Sequence, residues 1–276
     1  GSSKGRDEII AMTSSFHGRT IGALSVGSNK AYKSNIGPVP GKVRFCNFND
    51  SKNLKKLTNK KTLAIILEFI QGDGGINICS KEFAKTIKEI CKKRKILLIA
   101  DEIQGGIGRT GKIFAYKHYG VSPDIITSAK GLGSGIPIGA TIVKKEISKN
   151  INIGFHGSTF GGGMLQTRIA YNVFKTINKT SFLNSVKSKG ILLDKLLNKL
   201  HSNYDYIKEI RIKGLMAGIE FKNSQIALKI YKETSNHGLV TTLVKGTTIR
   251  ITPPLIIKSE EIKKGIKIIS ECLDKI

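Results

Sequence analysis

Long apolar runs are missing from this chain. Nowhere do about eighteen apolar residues follow one another, so no membrane-spanning helix is expected. The opening stretch GSSKGRDEII has no apolar segment of the kind a secretory leader needs, and no leader is expected. Cysteine is scarce, and Cys46, Cys79, Cys91 and Cys272 form no C-x-x-C pair. That spacing points to reduced thiols in a cytoplasm and away from a disulfide framework or a zinc site. The five histidines form no H-E-x-x-H pair, which leaves a metal centre without support. Acid is also in deficit, with 20 Asp and Glu against 46 Lys and Arg and a formal net charge of +26. A polyanion partner such as nucleic acid is one reading of that excess. Against it, only eight of the basic residues are arginine, the side chain suited to forked phosphate contacts. Aromatic residues are few and not interleaved with the charge, so a lysine-rich solvated surface is the better reading.

What is present is an alternation of strand and helix patterns. The 276 residues suit one large domain or two smaller ones. LAIILEF (63–69) and ILLIA (96–100) read as strands buried on both faces. SKEFAKTIKEICKKR (80–94) between them reads as a helix capped by Ser80, with Phe83, Ile87, Ile90 and Cys91 on one face. Together they predict a βαβ unit with parallel strands. DIITS (124–128) and GATIV (139–143) continue the strand pattern. After about residue 166 long amphipathic helices mix with short strands, which suggests a smaller α+β domain. The expectation is an α/β protein with a mostly parallel sheet over residues 1–178 and a C-terminal α+β domain over 179–276.

The stretch ADEIQGGIGRTGK (100–112) raises two nucleotide-binding motifs. Gly106, Gly108 and Gly111 fit G-x-G-x-x-G, but DEIQG separates them from the strand that should lead straight into them. Asp124, at about the distance of the ribose-binding acid, begins its strand where that acid should end one. A P-loop needs Ser or Thr after its lysine, and Lys112 is followed by Ile113. The glycines therefore read as turn-formers. Asp101, at the carboxyl end of its strand, is the informative residue, because ligands of open parallel sheets gather there.

A second strand end supplies its partner. Lys130 follows DIITS and is surrounded by glycines that let a bulky group approach. A lysine in a pocket can lose its proton and attack a carbonyl. A lysine and a carboxylate on neighbouring strand ends suit pyridoxal phosphate. The lysine forms the imine, and the acid keeps the pyridine nitrogen protonated so that the ring draws electrons. HGSTFGGG (156–163) offers a hydroxyl and free backbone N–H groups for a phosphate. FHGRT (16–20) offers an aromatic face and an arginine.

These segments resemble the class III aminotransferases, in particular the acetylornithine aminotransferase branch. FHGRTIGALS, EFIQGDGG, LLIADEIQGGIGRTGKIFAYKHYGVSPDIITSAKGLGSGIPIGA, HGSTFGG, KGLMAGIEF and IRITPPL carry the likeness in order along nearly the whole chain. The resemblance implies a fold type I pyridoxal-phosphate transferase. Lys130 would hold the cofactor and shuttle a proton, Asp101 would face the ring nitrogen, Gln104 the ring hydroxyl, and Phe16 would stack on the ring. Thr159 would reach the phosphate of a partner subunit, which implies a homodimer. Arg19 and Arg250 would receive substrate carboxylates, and Glu68 would shape the pocket and gate an arginine. The implied reaction moves the terminal amino group of N2-acetyl-L-ornithine to 2-oxoglutarate in arginine biosynthesis. Ornithine and succinyldiaminopimelate are the alternative donors. A non-catalytic remnant or a basic nucleic-acid-binding protein is the reading of another class.

The chain departs from the family pattern at Phe69, where proline is usual, at Asp73 for glutamate, at Gly163 for asparagine and at Ile212 for glycine. Family members also carry a long segment ahead of the FHGRT stretch, with a phosphate-binding loop at a helix N-terminus. Its absence here leads to the expectation that this segment alone binds cofactor weakly.

Overall fold

Two kinds of sheet are built from two kinds of sequence. The computed structural model describes residues 5–276. Its first sheet comprises β1 (Glu8–Met12), β2 (Lys42–Cys46), β3 (Thr62–Leu67), β6 (Leu97–Asp101), β7 (Ile125–Ser128) and β8 (Ala140–Val143), in the order β2-β1-β3-β6-β7-β8. All neighbours run parallel except β7 and β8, which are antiparallel. Ile10, Ile65, Leu67, Leu98 and Ala100 are buried in it, as continuous apolar runs require. Helix α3 (Lys81–Arg94) makes the crossover from β3 to β6. The Ser80 hydroxyl accepts from Phe83 N at 3.0 Å, and Lys92, Lys93 and Arg94 sit in the last turn, where they complement the helix dipole. Phe83 and Ile87 are buried, each contributing about 1.5–3 kcal/mol. Shorter helices α1 (Ile21–Val26), α2 (Ser51–Leu57) and α4 (Lys145–Ser148) and the longer α5 (Met164–Ile177) belong with this sheet in chain order, and β4 (Ile70–Gln71) pairs with β5 (Asn77–Ile78).

The second sheet is four-stranded, in the order β11-β12-β10-β9, from β9 (Ile207–Ile212), β10 (Ala217–Phe221), β11 (Thr242–Val244) and β12 (Thr248–Ile251), with all neighbours antiparallel. It shares a core with α6 (Thr180–Asn203), α7 (Ser224–Asn236) and α8 (Ser259–Leu273). Val186, Leu193, Leu197 and Leu200 of α6 and Ile262, Ile266 and Ile269 of α8 recur at helical spacing and are buried there.

The chain divides into two compact units. One gathers the residues up to Ile70, Cys79–Ile107 and Phe114–Ile177. The other gathers Asn178–Ile276 with two short segments from earlier in the chain, Gln71–Ile78 and Gly108–Ile113. Those two segments fall inside the N-terminal residue range that the sequence pattern gives to the large domain. In the second unit backbones approach closely. A Cβ on Gly190 would lie 2.8 Å from the Gly214 backbone, and one on Gly214 (φ +61°) would lie 2.6 Å from the Thr110 carbonyl carbon. Neither position has room for a side chain.

Among the described residues no helix is long and apolar enough to cross a membrane. Among them, too, no cluster of His, Cys, Asp or Glu could hold a metal ion.

Candidate active site

The carboxyl ends of β6 and β7 lie side by side. Asp101, the last residue of β6, pairs in register with Thr127 of β7, and Lys130 follows three residues later. Asp101 is buried. Its Oδ1 accepts from Ile103 N at 3.0 Å, and its Oδ2 lies 2.7 Å from His17 Nδ1. Lys130 is exposed and begins a 3-10 turn at φ +45°, left-handed backbone that a side-chain-bearing residue seldom adopts. The glycines after it let the backbone pack closely. A Cβ on Gly133 would sit 1.9 Å from Ile136 O, and one on Gly131 would touch Ile107 at 3.4 Å.

The other sequence-derived candidates of this unit fall into two groups. Glu68 and Phe16 join the buried floor. Glu68 is 3% exposed, and its Oε1 accepts from Phe16 N at 3.0 Å. Phe16 is half-buried, with its ring edge-on to Tyr32 at 6.0 Å. Gln104 is half-buried, three residues beyond Asp101. Arg19 and Thr159 lie outside. Arg19 is exposed, its guanidinium 4.5 Å from the Tyr32 ring centroid, and Thr159 lies in a wholly exposed stretch, 151–162.

Arg250 belongs to the other unit, on β12, where its Nη1 lies 2.8 Å from Asp73 Oδ1. Glu68 thus meets the Phe16 backbone, and Arg250 meets Asp73. Phe69, which replaces the usual proline, is buried and stacks on Tyr119 with centroids 5.0 Å apart.

Two further residues escape a reading by motif. His17 is buried with its Nε2 unpartnered among the described groups, and it is the one side chain that meets the Asp101 carboxylate. Its only sequence signal is its place between Phe16 and Arg19. Glu102 is fully buried and accepts from Ala115 N at 2.7 Å and Tyr116 N at 2.8 Å. Burial pushes its carboxyl up to about 7 despite those two N–H donors. The glycine loop behind it makes turns: Gly108 and Gly111 have φ of +80° and +82°, and no α-helix opens after them. A Cβ on Gly106 would lie 2.5 Å from Glu102 O. These glycines serve close backbone approach rather than a dinucleotide.

The donor set fits pyridoxal phosphate. A buried carboxylate with acceptor capacity left on both oxygens stands at one strand end, and an amine stands at the next. The buried hydroxyls of Thr127 and Ser128, on the strand leading to that amine, have no partner among the described groups. Asp101 would hold the ring nitrogen, Lys130 the reactive carbon and Phe16 one ring face.

The Aminotransferase class-III profile matches residues 1–273. Acetylornithine aminotransferase of Caldanaerobacter subterraneus is 41% identical over 98% of this chain and 68% of its own length. Ornithine aminotransferase 1 of Staphylococcus saprophyticus is 40% identical over 97% of this chain and 67% of its own. Among solved structures, ornithine aminotransferase from Toxoplasma gondii, with pyridoxal phosphate at partial occupancy in its active site, superposes with a TM-score of 0.92. That protein is 29% identical, covering 98% of this chain and 65% of the other. The chain thus spans about two thirds of the length of these relatives. The chain belongs to the class-III aminotransferase family, pyridoxal-phosphate-dependent transaminases with a mostly parallel central sheet.

Proposed function

We propose that this chain carries the core of a transaminase acting on N2-acetyl-L-ornithine and 2-oxoglutarate, as a step in arginine synthesis in the cytoplasm. The observation that carries the reading is the adjacency of Asp101 and Lys130 on neighbouring parallel strand ends, with the acid buried and held by His17. Bound pyridoxal phosphate supplies a carbonyl that takes the amine and an electron-withdrawing ring that makes the neighbouring C–H acidic. Lys130 would hold the cofactor through its amine, and its Nζ would carry the proton to and from the substrate carbon. Asp101 supplies the negative charge opposite the ring nitrogen. Phe16 limits water on one face. Gln104, three residues beyond Asp101, would face the ring hydroxyl. Arg19 and Arg250 receive the carboxylates of donor and acceptor. Glu68 shapes the pocket wall through Phe16 and gates an arginine, and Asp73 is the acid we assign to hold Arg250.

A homodimer completes the reading. Phe155, Phe160, Met164 and Leu165 are large apolar side chains standing exposed in and just after the threonine loop. A patch of that size belongs against a second copy, which would bring each Thr159 toward the partner's phosphate site. The free thiols of all four cysteines agree with a reducing compartment.

The test adds pyridoxal phosphate to the chain and follows visible absorbance, with Lys130→Ala beside it. A coupled assay then compares acetylornithine with ornithine as donor. A band that persists in Lys130→Ala would overturn the site. A preference for ornithine would move the assignment to the activity named for the Staphylococcus relative.

A further inference from the structure

The loop Gly108–Ile113 fails as a nucleotide cradle, yet it holds a cation where a cation is costly. Arg109 is half-buried, and burial lowers its guanidinium to about 10, so it is charged at neutral pH. Among the described residues it makes no ion pair. Its Nη1 donates instead to two carbonyls, Leu215 O at 3.1 Å and Pro253 O. Its own carbonyl accepts from Leu215 N at 3.0 Å. A largely dehydrated charge spent on two backbone oxygens needs a reason, because a desolvated cation is expensive unless its donors are well used.

The two carbonyls have a common meaning in the sheet. Leu215 lies just before β10, and Pro253 lies just after β12. These strands are antiparallel partners, with Ala217 opposite Ile251 and Gly218 opposite Arg250. Arg109 therefore ties the start of one strand to the end of the other, at the end of the ladder next to Arg250. Gly214 makes the tie possible, since its φ of +61° and its contact with Thr110 leave no space for a Cβ. From the other early segment Asp73 takes the Arg250 guanidinium at 2.8 Å. One segment thus holds the arm's tip and the other its backbone.

We propose that Arg109 is a positioning residue for Arg250, fixing the β10–β12 ladder so that the Arg250 guanidinium stands ready for the carboxylate of the keto acid. The proposal rests on the reading of Arg250 as a carboxylate receiver. Lysine at 109 keeps the charge but loses the planar fork, so Arg109→Lys is the mild variant, and Arg109→Gln removes the charge as well.

The experiment uses the whole chain loaded with pyridoxal phosphate and two readouts. Amide hydrogen exchange is followed at 213–217 and 249–255, with α3 as internal reference. Binding of 2-oxoglutarate is followed by calorimetry. Both variants should speed exchange in the two windows about tenfold with α3 unchanged, and should weaken 2-oxoglutarate about tenfold, Gln more than Lys. Faster exchange with 2-oxoglutarate affinity held within about twofold would make Arg109 a structural tie only and overturn the proposal. Unchanged exchange would overturn it too. Arg250→Gln separates the two layers. If that variant binds 2-oxoglutarate as well as the unsubstituted chain, or if the unsubstituted chain does not bind it, the carboxylate reading fails, while the exchange data still judge the tie. Should Arg109→Gln not fold, Arg109→Lys decides alone.

Discussion

Two regions of the same unit contribute to the proposed cofactor site, and they differ in how far the chain completes them. At the carboxyl end of β6, Asp101 and Glu102 are buried, Asp101 against buried His17 and Glu102 accepting from Ala115 N and Tyr116 N. In the stretch 151–162 every residue is exposed, and Phe155 and Phe160 are 66% and 83% so. The first region is finished by its own chain. The second has apolar side chains and no cover. The difference teaches that the acid proposed for the ring nitrogen is partnered within one chain, whereas a phosphate site made from a loop of this kind needs a second surface before its hydroxyl has a fixed position.

The largest effect should come from the finished side. Lys130→Ala should abolish the visible cofactor band, with thermal unfolding little changed because the side chain is exposed. Next, Phe155→Ser with Phe160→Ser should dissociate the dimer. Each side chain is worth about 1.5–3 kcal/mol when buried, and a two-fold interface counts it twice. Sedimentation would show a shift of three orders of magnitude or more in the dimer constant, about 4 kcal/mol or beyond, while the monomer melts as before. A dimer that survives would erase the contrast between the regions.

Third, Glu102 should give the finished region a pH signature. Its carboxyl is raised from 4.5 to about 7 by burial, so the folded chain holds a proton that the unfolded chain releases. The stability it contributes is fully present below about pH 4.5 and is lost as pH rises through about 7, roughly 3 kcal/mol in all. Urea unfolding at pH 5 and pH 8 should show that slope, and Glu102→Gln should lack it. The smallest effect is expected at His17. His17→Leu should weaken pyridoxal phosphate binding about tenfold by leaving Asp101 with one donor fewer, and His17→Asn, whose amide can stand in for Nδ1–H, should recover part of it. Equal affinities for Leu and Asn would make the histidine a packing residue.

Much of this was legible in the chain itself. The β3–α3–β6 unit follows from an apolar run, a Ser80 cap and a second apolar run, and the structure places α3 one residue inside the predicted span. Asp101 and Lys130 announced themselves as an acid and an amine immediately after strands. Strands β1 and β2 are not legible, because EIIAM and KVRFC are too short to show a period. The early segments 71–78 and 108–113 were assigned by chain order, and only long-range contacts such as Arg211 to Gly75 O and Arg109 to Leu215 O group them with the later residues. The Asp73–Arg250 pair spans the same gap, and no local pattern encodes a partner so far away in sequence. His17 was missed because a single histidine carries no spacing.

The reversal of β8 has a consequence for the amine itself. A parallel successor to β7 would have required a crossover of about a dozen residues or more, most often a helix laid over the sheet. Because β8 turns back, Ser128 and Ala140 end up as neighbours, and the segment 129–139 is a bight moored at both ends to adjoining strands. The lysine on that bight is thus two residues from a strand end fixed in the sheet, and the reach left to it is mainly that of its own four-carbon tether.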